Sequence, residues 1–185
     1  MSNNRMLDLL RLQYVPRWGI CKMGRTQTVA EHAFNVAVIA REIARYLKVD
    51  AQWSSVLNWA LDHDGPESFT GDLPSTLKHH MNRVELREIE YDACPWYELV
   101  DAQVDDQTRN IVDLADVIEA VLYANEWCRD AIVMVDVRDH FHRTMALWDS
   151  PDMAMWVDQT FFRNHSYPAG DLGTGLVGGG AARSI

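Results

Sequence analysis

The 185-residue sequence has no run of eighteen apolar residues, so no membrane-spanning helix is expected. Cysteine is scarce. Cys21, Cys94 and Cys128 are odd in number, widely spaced and without a C-x-x-C, which argues for reduced thiols over a disulfide framework or a cysteine-metal site. Positive charge is also in deficit. Seventeen lysines and arginines face 27 acids, a net charge of −10, and that balance excludes a broad basic face for nucleic acid. The first ten residues, MSNNRMLDLL, lack the apolar stretch of a secretory signal, so a cytoplasmic protein with no membrane partner is expected. Strand patterns are missing too, since no alternating run or Asn-Gly hairpin occurs.

What is present reads as helix almost throughout. The apolar spacing predicts a short helix over 5–13 with Met6, Leu9 and Leu10 on one side, then a loop holding Pro16, Gly19 and Gly24. Thr28 and Glu31 form a T-x-x-E capping box, and Val36, Ile39, Ile43 and Leu47 make the stripe of the helix behind it. A helix over about 51–62 is broken by Gly65-Pro66. Further helices are expected over 75–92, over 106–128 (Ile111, Val112, Ala115, Ala120, Tyr123, Trp127), within 129–148, and from Pro151 to about Arg163. The expected organisation is one domain over 1–167 and a glycine-rich tail over 168–185. The tail reads as a flexible segment. As a phosphate-cradling loop it lacks both a Lys-Ser/Thr and a following helix.

Four side chains, His32, His63, Asp64 and Asp116, lie in line with apolar stripes on the expected helices. An inward-facing carboxylate is costly unless paired or metal-bound. Two carboxylates and two imidazoles make a donor set suited to a divalent transition metal. Singly, each has a plainer reading, as a hydrogen-bonded core histidine or a capping aspartate. The adjacency of His63 and Asp64 at a helix break favours convergence. Glu67 and Asp72, in the loop just behind, are candidates to position or deprotonate water, or else to solvate the loop. His79, His80, His140, His142 and His165 have no such supporting pattern.

The order His32, His63-Asp64, Asp116 resembles the H…HD…D signature of the HD-domain phosphohydrolases. The surrounding words, P-R-W at 16–18, R-T-Q-T-V-A-E-H at 25–32, H-D-G-P-E at 63–67, T-G-D-L-P-S-T-L-K at 70–78 and L-A-D at 114–116, look like the bacterial 5′-deoxynucleotidase branch. The short interval from Asp72 to Asp116 and the Trp18-Gly19-Ile20 segment are similar to small phage dATP triphosphohydrolases of that branch. The resemblance implies an all-α helical bundle, a homo-oligomer (dimer or hexamer) and one catalytic divalent ion (Co²⁺, Zn²⁺, Mn²⁺ or Mg²⁺) on His32, His63, Asp64 and Asp116. It also implies that Arg17, Trp18 and the segment Asp72, Leu73, Pro74 and Ser75 touch substrate.

The expected chemistry is hydrolysis of a 2′-deoxynucleotide at the 5′ α-phosphate. Glu67 would orient water, and Arg17 with Lys78 would neutralise phosphoryl charge. Trp18 would stack on the base, Asp72 would accept the sugar 3′-hydroxyl, and Ile20 would wall the base edge unless it anchors the loop in the core. dATP is the favoured substrate and a deoxynucleoside monophosphate the alternative. A non-catalytic HD-type binding module is a third reading.

Overall fold

The computed structural model describes residues 4–49, 53–74, 78 and 81–163. Its helices are α1 (Arg5–Arg11, continued by a 3-10 turn Leu12–Tyr14), α2 (Val29–Tyr46), α3 (Trp53–Asp62), α4 (Glu67–Thr70), α5 (Arg83–Ala93), α6 (Pro95–Asp101), α7 (Asp106–Trp127), α8 (Ala131–Ala146) and α9 (Pro151–Val157), which passes into a π-helical turn Asp158–Arg163. Among the described residues there is no strand, only isolated bridges between Pro16 and Thr28 and between Met23 and Cys128. The all-α expectation holds. No helix among them is long and apolar enough to cross a membrane.

Local chemistry sets where the helices begin. Asn4, Thr28, Asn82, Asp105, Asp130 and Ser150 each accept a backbone N–H of the helix they precede, and Thr28–Glu31 closes a full capping box. Pro95 and Pro151 occupy first-turn positions, where a missing N–H costs nothing. The central helix α7 packs on α2, α3 and α8. Val36, Ile39 and Ile43 of α2 meet Ile111, Val112, Ala115 and Ile118 of α7 in one core cluster. Met6, Leu9 and Leu10 of α1 share one side, as expected; Leu9 packs on the core, and Met6 and Leu10 are exposed. One expectation needs correction. His63 and Asp64 are not helical but sit in the turn after α3. The expected helix over 75–92 is seen from Arg83. Residues 75–77, the histidines at 79 and 80, His165 and the glycine-rich tail lie outside the described residues.

That turn is built by close approach. A Cβ on Gly65 would stand 2.4 Å from Cη2 of Trp96 and 2.9 Å from the carbonyl oxygen of Asp62, so only glycine fits between the turn and α6. The Tyr97 hydroxyl donates to the His63 carbonyl at 3.0 Å, and the Trp96 indole N–H donates to Asp8 at 3.1 Å. Asp62 is buried and held by Arg5. Gly65→Ala is therefore expected to destabilise the fold by about 1–3 kcal/mol and to displace His63. Chemical denaturation would read the first effect, and an unaltered midpoint would show that the turn has slack.

Candidate metal and phosphate site

The first turn of α2, the turn after α3 and the middle of α7 converge. His32 is fully buried. Its Nε2 lies 3.0 Å from Asp116 Oδ1 and 3.4 Å from Asp64 Oδ2. His63 Nε2 lies 3.3 Å from the same Asp64 oxygen. Both Nε2 atoms are buried, yet neither has a hydrogen-bond partner despite this proximity. Their other nitrogens are engaged. His32 Nδ1–H donates to Glu119 Oε2 at 2.7 Å, and His63 Nδ1–H donates to the Ala60 carbonyl at 2.9 Å. An ionised carboxylate and a carbonyl can only accept, so in the neutral ring each Nε2 is the nitrogen that carries the lone pair a metal would take. His32, His63 and Asp116 offer ligating atoms all within 4.8 Å of one another, a group able to hold a metal ion, and Asp64 touches both histidines. Orphaned buried nitrogens beside carboxylates fit a divalent cation.

The electrostatics agree. In the metal-free protein burial and Arg17 oppose the charged form of His32, but Asp116 and Glu119 outweigh them and push its pKa up to about 9. Burial would raise Asp116, yet His32 and Arg17 hold it well below the carboxylate range. Glu67 is the opposite case. Burial, helped by Asp64, pushes it up to about 8 despite its 2.9 Å bond from Lys78 Nζ. Its second oxygen is buried with no partner, so one face of this carboxyl is available for a proton or a water.

The loop before α2 supplies the other wall. Arg17 lies 3.5 Å from Glu119 Oε2 and 4.0 Å from Asp116 Oδ1. Trp18 adopts φ +63°, a left-handed conformation unfavourable for a residue with a side chain, and three contacts hold it there. Its backbone N–H donates to Asp72 Oδ2 at 3.0 Å and its indole N–H to Gln27 Oε1 at 3.1 Å. Its ring stacks on Tyr123 at 6.1 Å. One oxygen of Asp72 thus has a structural task. Leu73 and Pro74 follow it, half-buried, while Ser75 falls outside the described residues. Ile20 is 71% exposed, which removes the reading of it as a core anchor.

Glu119 and Gln27 were missed by the sequence reading. Both are buried, and Gln27 Nε2 donates to Glu119 Oε1 at 2.6 Å. The available signal was a glutamate inside the apolar run of α7, one turn after Asp116.

A fold of this kind with such a donor set defines a helical metallo-phosphohydrolase. A family profile described as 5′-deoxynucleotidase YfbR-like matches residues 6–131, and the chain belongs to that family. A dATP triphosphohydrolase of Salmonella phage PMBT28 is 29% identical over 167 residues, 82% of this chain and 85% of the phage protein. A 5′-deoxynucleotidase of Citrobacter koseri is 31% identical over 124 residues, 64% of this chain and 60% of its own length. In fold, the chain is similar to the cyanophage S-2L HD phosphohydrolase DatZ bound to dA and one catalytic Zn²⁺, with TM-score 0.74 and 23% identity, covering 84% of this chain and 95% of that one.

A cation on His32 Nε2 must displace a proton held up to about pH 9. Its apparent affinity is expected to fall by about tenfold per unit as pH drops from 9 to 7. Chelator competition with Zn²⁺ reads this directly, and a flat profile would take His32 out of the ligand set.

Proposed function

We propose that the chain is a metal-dependent 2′-deoxynucleotide phosphohydrolase that cleaves the bond between the α-phosphorus and the sugar 5′-oxygen. The observation that carries this reading is the pair of buried, unpartnered Nε2 atoms facing Asp64 and Asp116. His32, His63, Asp64 and Asp116 hold the metal, which when bound supplies Lewis-acid activation at phosphate oxygens and water. Glu67 is the group that orients the water, through the oxygen that Lys78 leaves free. Lys78 fixes Glu67 in place. Arg17 sits between the metal ligands and Trp18, where its guanidinium faces charge growing on the phosphoryl oxygens. Trp18, held on Tyr123, presents a flat surface to the base. Ile20, exposed two residues on, meets the base edge. The free oxygen of Asp72, with Leu73, Pro74 and Ser75, lines the sugar.

One observation favours dATP. The match to the phage dATP triphosphohydrolase runs along most of both chains, whereas the matches to the bacterial nucleotidases span 57–64% of those proteins. The monophosphate reading is supported by the family profile. On the same reading the protein works in the cytoplasm, the host's if it is phage-encoded, as a homo-oligomer. The exposed Met6, Leu7, Leu10, Phe34 and Leu61 suit a partner copy.

The test is a panel of deoxynucleotides and ribonucleotides with Co²⁺, Zn²⁺, Mn²⁺ and Mg²⁺, products resolved by chromatography. Deoxyadenosine plus triphosphate from dATP is expected; turnover of dAMP alone would favour the nucleotidase. Asp64→Asn is expected to abolish turnover and lower metal content in a folded protein, since it keeps size and removes a charged ligand. Normal metal content and rate in this variant would overturn the assignment. Glu67→Gln should retain metal and lose about 10²–10⁴-fold in rate; a rate within twofold of wild type would make it a bystander.

A further inference from the structure

Glu119 lies outside the ligand set, yet more of the site's hydrogen bonds end on it than on any ligand named above. Its carboxylate is buried in the middle of α7. Oε2 accepts His32 Nδ1–H at 2.7 Å and faces Arg17 Nη1 at 3.5 Å. Oε1 accepts Gln27 Nε2–H at 2.6 Å and Asn35 Nδ2–H at 3.0 Å. Gln27 in turn accepts the Trp18 indole N–H through its own oxygen. One carboxylate therefore terminates two arms. The first arm ends on a metal-ligand imidazole. The second passes through a buried amide to the ring whose backbone is held at φ +63°.

We infer that Glu119 is a positioning residue that holds the His32 imidazole with Nε2 free for the metal and, through Gln27, sets the Trp18 ring. The inference rests on the metal reading above for its first arm only; the second needs no metal.

The donors on the two oxygens differ in one decisive way. Arg17 has no acceptor form, whereas the amides of Gln27 and Asn35 can turn over. In Glu119→Gln the new amide must keep its oxygen toward Arg17 and His32, so its nitrogen faces Gln27 and Asn35. Gln27 then turns to offer its oxygen and presents its own NH₂ to the Trp18 indole N–H. Two donors meet, and the Trp18 arm is broken. The His32 arm keeps its hydrogen bond but loses the negative charge behind it, which lowers the ligand's basicity.

Glu119→Gln is expected to lower Zn²⁺ affinity about tenfold, the lower end of the range for outer partners of metal-ligating histidines. In the same variant the Trp18 indole N–H should exchange with solvent at least about tenfold faster, as its acceptor is gone. Chelator competition and nitrogen-15 NMR of the zinc-loaded and metal-free proteins give the two readouts. The double exchange Glu119→Gln with Gln27→Glu separates positioning from plain packing. It restores an acceptor for both the new amide at position 119 and the Trp18 indole, so indole protection returns. Zn²⁺ affinity stays low, because the carboxylate no longer faces His32. Affinity within twofold of wild type together with unchanged indole exchange in Glu119→Gln would overturn the inference, as would a double variant whose indole stays unprotected. If the single variant does not fold, the wild type still decides: slow exchange at His32 Nδ1–H and Trp18 Nε1–H supports the relay, and fast exchange at either refutes it. A wild type that binds no Zn²⁺ refutes the proposed metal site and the first arm, while indole exchange still reads the second.

Discussion

Ionisable groups inside a helical core must be paired, because the desolvation of an isolated charge exceeds what such a small fold can spare. The rest of this structure follows from that constraint. His32 on α2, Glu119 on α7 and Glu67 at the start of α4 are all buried. Each nitrogen and oxygen that has a protein partner is thereby oriented, and the atoms without one are singled out. Of the five buried side-chain atoms without a partner among the described residues, three (His32 Nε2, His63 Nε2 and Glu67 Oε2) lie at this site, and Trp53 Nε1 and Arg138 Nε lie elsewhere.

Different kinds of local structure supply the pieces. α2 and α7 are rigid, capped at their starts and packed against each other, and they carry His32, Asp116 and Glu119. His63 and Asp64 come instead from a turn, held by Tyr97 and by the Trp96 ring lying against Gly65. Trp18 comes from a loop in a conformation that costs free energy, offset by Asp72, Gln27 and Tyr123. The pair His32 and Asp116 on packed helices and the clamped pair His63 and Asp64 meet only if the turn is tight, and a side chain on Gly65 would open it.

The convergence of His32, His63, Asp64 and Asp116 was legible in the sequence because metal-type side chains recurred in line with apolar stripes and because His63-Asp64 stood at a Gly-Pro break. The capping box and the extent of α7 were legible for the same local reasons. Glu119 was not, since a single glutamate within an apolar helix reads as an exposed face until its partners from other segments are seen. Its partners Gln27, His32 and Asn35 lie 84 to 92 residues away. The exposure of Met6 and Leu10 was equally hidden, because periodicity shows that a helix has an apolar side and not what covers it. Asp72 carried its label as a loop carboxylate but not its bond to the Trp18 backbone, which depends on two loops meeting.

The charge balance of the site bears on how an anionic substrate can enter an acidic protein. Asp64, Asp116 and Glu119 surround the cations of the site, while Glu67, pushed up to about 8, is largely protonated at neutral pH. Those cations are Arg17, Lys78 and His32, the last pushed up to about 9. All three are engaged, Arg17 with Asp116 and Glu119, Lys78 with Glu67, and His32 with Asp116 and Glu119. A divalent ion on the imidazole–carboxylate set would replace the His32 proton by a larger charge and lower the demand of Asp116 on Arg17, which would leave the guanidinium free for an anion. Cleavage at the α-phosphorus uses the same bond and the same leaving oxygen for one, two or three phosphates. On the proposed function, the number of phosphates accepted would then depend on how far beyond these four side chains the positive field extends, rather than on a different catalytic group.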